Sequence, residues 1–70
     1  MEMISVQSST IAAIGYDPNI EILQIAFLNG SIYEYKNIPQ VVYDGLMSAS
    51  SHGSYLSREI KNIYPYEKIG

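Results

Sequence analysis

Cysteine and tryptophan are absent from this 70-residue chain, phenylalanine occurs once, and histidine occurs once, at His52. Without cysteine there is no disulfide staple, no thiolate nucleophile and no cysteine-based zinc site. A single histidine excludes a multi-histidine site within one chain, and Asp17, Glu21 and Asp44 lack ligand spacing, so no metal and no cofactor is expected. Cations are also scarce: Lys36, Arg58, Lys61 and Lys68 stand against seven carboxylates. No apolar run approaches the roughly 20 residues of a membrane helix, and the N-terminal MEMISVQ lacks a basic segment followed by an apolar core. The expected location is the cytoplasm, with no membrane partner.

What is present fits one small folded domain spanning residues 1–70. The 47% hydrophobic content is too high for intrinsic disorder. A chain this short buries only roughly 60% of its unfolded surface, so its core must be compact, and self-association is one route to more buried area. The net charge of −3 is unevenly spread. Residues 1–35 carry Glu2, Asp17, Glu21 and Glu34 with no cation, whereas residues 36–70 carry all four cations against Asp44, Glu59 and Glu67. Nucleic-acid binders draw most of their affinity from cations that neutralise phosphates. Four are few for that work, so any such contact requires Arg58, Lys61 and Lys68 to cluster.

Strand signals come first. "SSTIAAIGY" at 8–16 alternates Thr10, Ala12, Ile14 and Tyr16 against Ser9, Ile11 and Ala13. Asp17-Pro18-Asn19 is a turn, because proline presets φ and Asp and Asn tolerate turn geometry. "IEILQIAFL" at 20–28 is rich in β-branched and aromatic residues and is the strongest strand of the chain. Asn29-Gly30 then turns it into "SIYEYK" at 31–36.

The register of this second hairpin decides where Tyr33 and Tyr35 point. A two-residue Asn-Gly loop pairs Ala26 with Tyr33 and Gln24 with Tyr35, leaving both faces mixed. A three-residue loop with Gly30 as the left-handed residue of a bulge pairs Ile25 with Tyr33 and Leu23 with Tyr35. One face then holds Leu23, Ile25, Phe27, Tyr33 and Tyr35, and the other Gln24, Ala26, Glu34 and Lys36. Binary patterning favours the bulge, with the tyrosines on the face that helices cover.

Ile38-Pro39 starts a helix, with proline at its first position. Val42, Leu46 and Ala49 fall at the spacing of one helical face, and Gly45 weakens that helix by about 1 kcal/mol relative to alanine. "SASSHG" at 48–53 interrupts it, with Ser50 or Ser51 placed to cap a second helix striped by Leu56, Ile60 and Ile63 and stopped by Pro65. The expected fold is α+β: a three-stranded antiparallel meander, two α-helices packed on one face, and a short extended C-terminal tail at "YPYEKI". The expected core is Ile14, Leu23, Ile25, Phe27, Val42, Leu46, Leu56 and Ile60, with Tyr33 and Tyr35 at its edge.

Read together, "SSTIAAIGYD", "LQIAFLNGSIYEY", "IPQVVYDGL" and "ASSHGSYLSREIKNIYPYEKI" resemble the KTSC domain family. That family takes its name from the C-terminus of some lysyl-tRNA synthetases and includes small stand-alone bacterial and phage proteins. The resemblance covers residues 8–69. It rests on Tyr33-Glu34-Tyr35, on the following Ile38-Pro39, and on the Ser-x-Gly-x-aromatic element Ser51-His52-Gly53-Ser54-Tyr55. Two departures stand out: Leu56 and Ser57 stand where an aromatic and an Asn are usual, and His52 stands where a Lys is frequent. If the family holds an anion there, the missing cation weakens that contact in this member. The resemblance implies an uncharacterised binding module, with RNA as the partner its synthetase context suggests. Tyr33, Tyr35 and Pro39 are then a structural signature.

Candidate chemistry concentrates near the second helix. Ser51 and Gly53 at its start, followed by Tyr55, Arg58 and Lys61, form a candidate surface for nucleic acid or another anion. A plain helix cap explains Ser51 more economically, because capping needs one serine whereas a Walker-type loop has more glycines and a lysine. Asp44, Ser51 and His52 supply the residue types of a hydrolase triad without its spacing, so no catalytic residue is expected. Seven tyrosines suit an interface, where one side is apolar and the tip is wet. The expected function is a non-catalytic binding module contacting RNA or another nucleic acid through Tyr55, Arg58 and Lys61. The alternative is a protein-interaction or self-association module using the tyrosine-rich surface.

Overall fold

A computed structural model describes residues 1–70. It contains β1 (Met3–Ser5), β2 (Ile11–Asp17), β3 (Ile22–Phe27), β4 (Ile32–Tyr35), α1 (Gln40–Ser48), α2 (His52–Glu59) and β5 (Tyr66–Lys68). The strands form one antiparallel sheet in the order β1-β2-β3-β4-β5. Both helices are inserted between β4 and β5, and their buried Leu46 and Leu56 join the core on one sheet face.

The α+β class and the meander of β2, β3 and β4 match the sequence-based expectation, but the sheet has five strands, not three. The two additions are three-residue edge strands whose conformation depends on pairing. Met3–Ser5 lies along Gly15–Ala13, and the C-terminal tail lies along β4 through Tyr35↔Tyr66 and Tyr33↔Lys68. Backbone bonds from Lys36 N–H to the Pro65 carbonyl (2.9 Å) and from Ile69 N–H to the Ile32 carbonyl (2.8 Å) secure that return. Neither segment has enough residues for a periodic pattern to stand out.

The bulged hairpin forms as expected. Ile25 pairs with Tyr33 and Leu23 with Tyr35. The Phe27 N–H donates to the Ser31 carbonyl at 2.8 Å, the Gly30 N–H to the Phe27 carbonyl at 3.0 Å, and Gly30 takes φ +94°. That left-handed conformation is natural for glycine and strained for other residues. Asn29 supports the turn by accepting the Ser31 N–H at 3.0 Å.

A second bulge, in β2, departs from the simple alternation. The register slips between Ile11, opposite Phe27, and Ala13, opposite Ala26. The extra residue brings Ile11 onto the same face as Ile14, and both are fully buried. The rest of the core follows from this geometry. Ile14, Leu23, Ile25, Leu46, Leu56 and Ile60 are buried as expected, joined by Ile11, Ile38 and Tyr35, while Phe27 and Val42 pack half-buried at its margin. Tyr35 is inside, not at the edge, because Tyr66 of β5 covers it from beyond β4. Each fully buried aliphatic side chain contributes about 1.5–3 kcal/mol relative to exposure.

Helix boundaries also shift. Pro39, in an extended conformation (ψ 154°), is the N-cap of α1 and not its first helical residue; its carbonyl accepts from Val42 N–H at 3.0 Å. The second helix closes at Ile60, whose N–H and that of Lys61 both donate to the Leu56 carbonyl (3.1 and 2.9 Å). The chain must leave the helix there to bring Pro65 back to β4, so Ile63 is exposed and the stripe ends at Ile60. Tyr16 anchors the loop before α1: its hydroxyl donates to the Ile38 carbonyl at 2.6 Å and its ring stacks on Tyr43 at 4.5 Å.

Candidate functional site

The sheet places Phe27, Tyr33, Tyr35 and Tyr66 side by side on the helix-bearing face. Phe27 and Tyr33 meet edge to face at 5.6 Å, and Tyr66 lies 5.9 Å from Tyr33 and 5.8 Å from Tyr35. This aromatic strip floors a cleft of about 580 Å³ between the β3–β4 hairpin and α2. Gly53, Ser57 and Lys61, spaced by four residues along α2 and the turn beyond it, form one wall, with Leu28 and Asn29 opposite.

The cleft continues past Ser9, Thr10, Gly53 and Ser57 into a second hollow of about 470 Å³. Ser51, Ser54 and Arg58 complete that hollow, which no hydrophobic residue lines. Local chemistry shapes it. Ser8 accepts the N–H groups of Thr10 (3.2 Å) and Ile11 (3.1 Å), holding the turn before β2. A Cβ at Gly53 would come within 2.7 Å of the Thr10 hydroxyl, so glycine lets the first turn of α2 approach that turn.

The charges of the cleft are of one sign. Lys61 and Arg58 are the only ionised residues lining either part. Lys68 sits opposite Tyr33 across the β4–β5 pair and therefore projects on the same face. Asp17 and Glu21 flank the β2–β3 turn at the other end of the sheet, while Glu34 lies on the reverse face and accepts from Gln24 at 3.1 Å. Among the carboxylates, Glu59 is nearest this group, paired with Arg58 at 3.0 Å.

Of the sequence-predicted residues, Ser51, Gly53, Arg58 and Lys61 line the cleft. Tyr55 does not. It points to α1, where Gly45 leaves room for its ring, and Arg58 lies 5.8 Å above it. Ser51 is the N-cap of α2, its hydroxyl oxygen accepting the Ser54 N–H at 3.3 Å, as the capping reading required. Tyr33 and Tyr35, read as structural, line the cleft as well as packing on the core, while Pro39 stays structural at the start of α1. Sequence reasoning missed Tyr66, Phe27, Ser9, Thr10 and Ser57 as site residues. Only the count of tyrosines hinted at Tyr66.

Tyr35 is only 3% exposed. Its hydroxyl makes no hydrogen bond within the protein, no fully buried side-chain polar atom lacks a partner, and the residue lines the cleft. Burial, then the neighbouring Tyr33 and Tyr66, raise its pKa above the usual phenol value.

The triad residue types are engaged separately. His52 Nδ1 lies 2.8 Å from the Leu46 carbonyl and must donate to it, tying the start of α2 to the end of α1. Asp44 accepts from Gln40 at 3.0 Å. No group of three or more His, Asp or Glu residues is arranged to hold a metal ion, and no helix is long and apolar enough to cross a membrane.

Comparison with known proteins places this geometry in context. The KTSC domain model matches residues 7–64. An uncharacterised protein of Stutzerimonas stutzeri is 34% identical over 99% of both chains. A lysine--tRNA ligase of Nostoc is 36% identical over 96% of this chain, which spans 12% of that ligase. The crystal structure of a KTSC domain protein from Yersinia pestis superposes with a TM-score of 0.92 at 37% identity, covering 99% of this chain and 97% of the other. The family match over most of the chain and the full-length relatives have one consequence: this protein belongs to the KTSC domain family.

Proposed function

We propose that this protein is a non-catalytic binding module that holds single-stranded RNA in the cleft between α2 and the β3–β4 hairpin. The supporting observation is the union of a stacking floor, Tyr33 and Tyr66, with a rim that carries Lys61 and Arg58, the latter paired outside the lining with Glu59. Aromatic side chains accept unstacked bases of any sequence, and cations along the same groove follow the phosphates. The lysine--tRNA ligase relatives contain a similar segment within an enzyme whose named substrate is an RNA.

The test is a titration of short labelled single-stranded RNA at low salt. Arg58→Ala with Lys61→Ala weakens binding and makes it less salt-dependent, because fewer counterions are released. Tyr66→Ala removes a stacking surface, a loss of about 1–3 kcal/mol. Absence of binding, or affinity unaltered by the double substitution, overturns the proposal. A protein-interaction or self-association module is the second reading, supported by the sheet face opposite the helices, where Ala13, Ala26 and Ile32 lie under no helix. A monomeric mass together with recovery of no protein partner in a pull-down would count it out.

A further inference from the structure

We propose that the Tyr35 hydroxyl is the base-reading group of the cleft, hydrogen-bonding the polar edge of an unstacked nucleobase held against Tyr33 and Tyr66. This rests on the RNA-binding reading above and adds to it a residue that confers base preference.

Three features of the site converge on Tyr35. Its ring is locked in the core, between Tyr33 at 6.5 Å and Tyr66 at 5.8 Å, so the hydroxyl has one direction to point. The hydroxyl lacks a protein partner, and Tyr35 lines the cleft alongside Tyr33 and Tyr66. By contrast Tyr16, the other phenol with a raised pKa, gives its hydroxyl to the Ile38 carbonyl, as a structural tyrosine does. A hydroxyl on so buried a side chain is costly to cover without a partner. A ligand that covers it must supply that partner.

Stacking alone does not supply base preference, since every base has a π-face. Lys61 and Arg58 act on phosphates, which carry no sequence information. Tyr35 is the most buried polar side chain lining the cleft, and its hydroxyl can donate to and accept from a base edge. Because burial holds its phenol above the usual range, the hydroxyl keeps its proton at neutral pH.

The experiment measures affinities of short homopolymeric RNAs, one for each base, for wild type, Tyr35→Phe and Lys61→Ala. Wild type is expected to rank the four RNAs. Tyr35→Phe is expected to flatten that ranking, with a loss of about threefold to tenfold for the preferred base, as one hydrogen bond commands. Lys61→Ala lowers all four together and keeps their order. Circular dichroism and a thermal melt confirm that Tyr35→Phe is folded; should it be unfolded, chemical-shift mapping on wild type follows the same base contact without altering Tyr35. Equal wild-type affinities, an unchanged ranking in Tyr35→Phe, or bases that leave the Tyr35 resonances unshifted overturn this proposal while RNA binding stands. Folded wild type that binds none of the RNAs overturns both readings.

Discussion

Gly45 provides the sharpest test of how α1 and α2 fit together. Glycine within a helix is about 1 kcal/mol less favourable than alanine, so helix propensity alone predicts that Gly45→Ala stabilises α1. The packing predicts the reverse. A Cβ at position 45 would overlap the Tyr55 hydroxyl and lie 2.8 Å from its Cζ and 3.1 Å from its Cε2. Contacts with three atoms of one ring cannot be relieved by bending its tip, so the whole ring must move from its place between the helices. Overpacking of this kind typically costs about 1–3 kcal/mol, more than the propensity gain. Gly45→Ala should therefore destabilise the wild-type protein by about 1 kcal/mol, a fall in melting temperature of about 4–8 °C for a domain of this size. In a Tyr55→Ala background the obstruction is gone, and the same substitution should stabilise by about 1 kcal/mol. The expected coupling is about 2 kcal/mol, within the range for residues in contact. Urea unfolding of wild type, the two single variants and the double variant measures it. Equal effects of Gly45→Ala in both backgrounds would refute the steric account, whatever their sign.

Two further predictions concern the cap and the phenols. Ser51→Ala should cost about 1 kcal/mol by removing the acceptor for the Ser54 N–H, and Ser51→Asp should restore most of it; an unmoved urea midpoint in Ser51→Ala would mean that the cap contributes nothing. The pKa of Tyr16 is raised by burial and by Glu21, Asp44 and Asp17, and that of Tyr35 by burial, Tyr33 and Tyr66. The folded state thus holds these protons beyond the pH at which the unfolded chain releases them, so their contribution is complete below about pH 10 and is lost as pH rises through the folded values. Tyr16→Phe and Tyr35→Phe should each make the alkaline fall in stability shallower, and parallel pH profiles for wild type and both variants would contradict this.

The sequence itself determined the elements whose causes are local. Asn29-Gly30 and the alternation on either side set the bulged register of β3 and β4, because a slip by one residue exposes Leu23, Ile25 and Phe27 together. Ser51 capped α2 because a serine oxygen at that point satisfies a free N–H of the first turn. The β2 bulge was not legible, since an extra residue leaves no mark in the alternation except a second isoleucine three positions from the first. The cleft belongs to tertiary structure. Its aromatic floor exists because two helices return the chain so that Tyr66 pairs opposite Tyr35, and its cations line it because the same return sets α2 and the turn beyond it against the β3–β4 hairpin. Both depend on contacts between residues about thirty positions apart, which no local pattern encodes and which form only as the core closes.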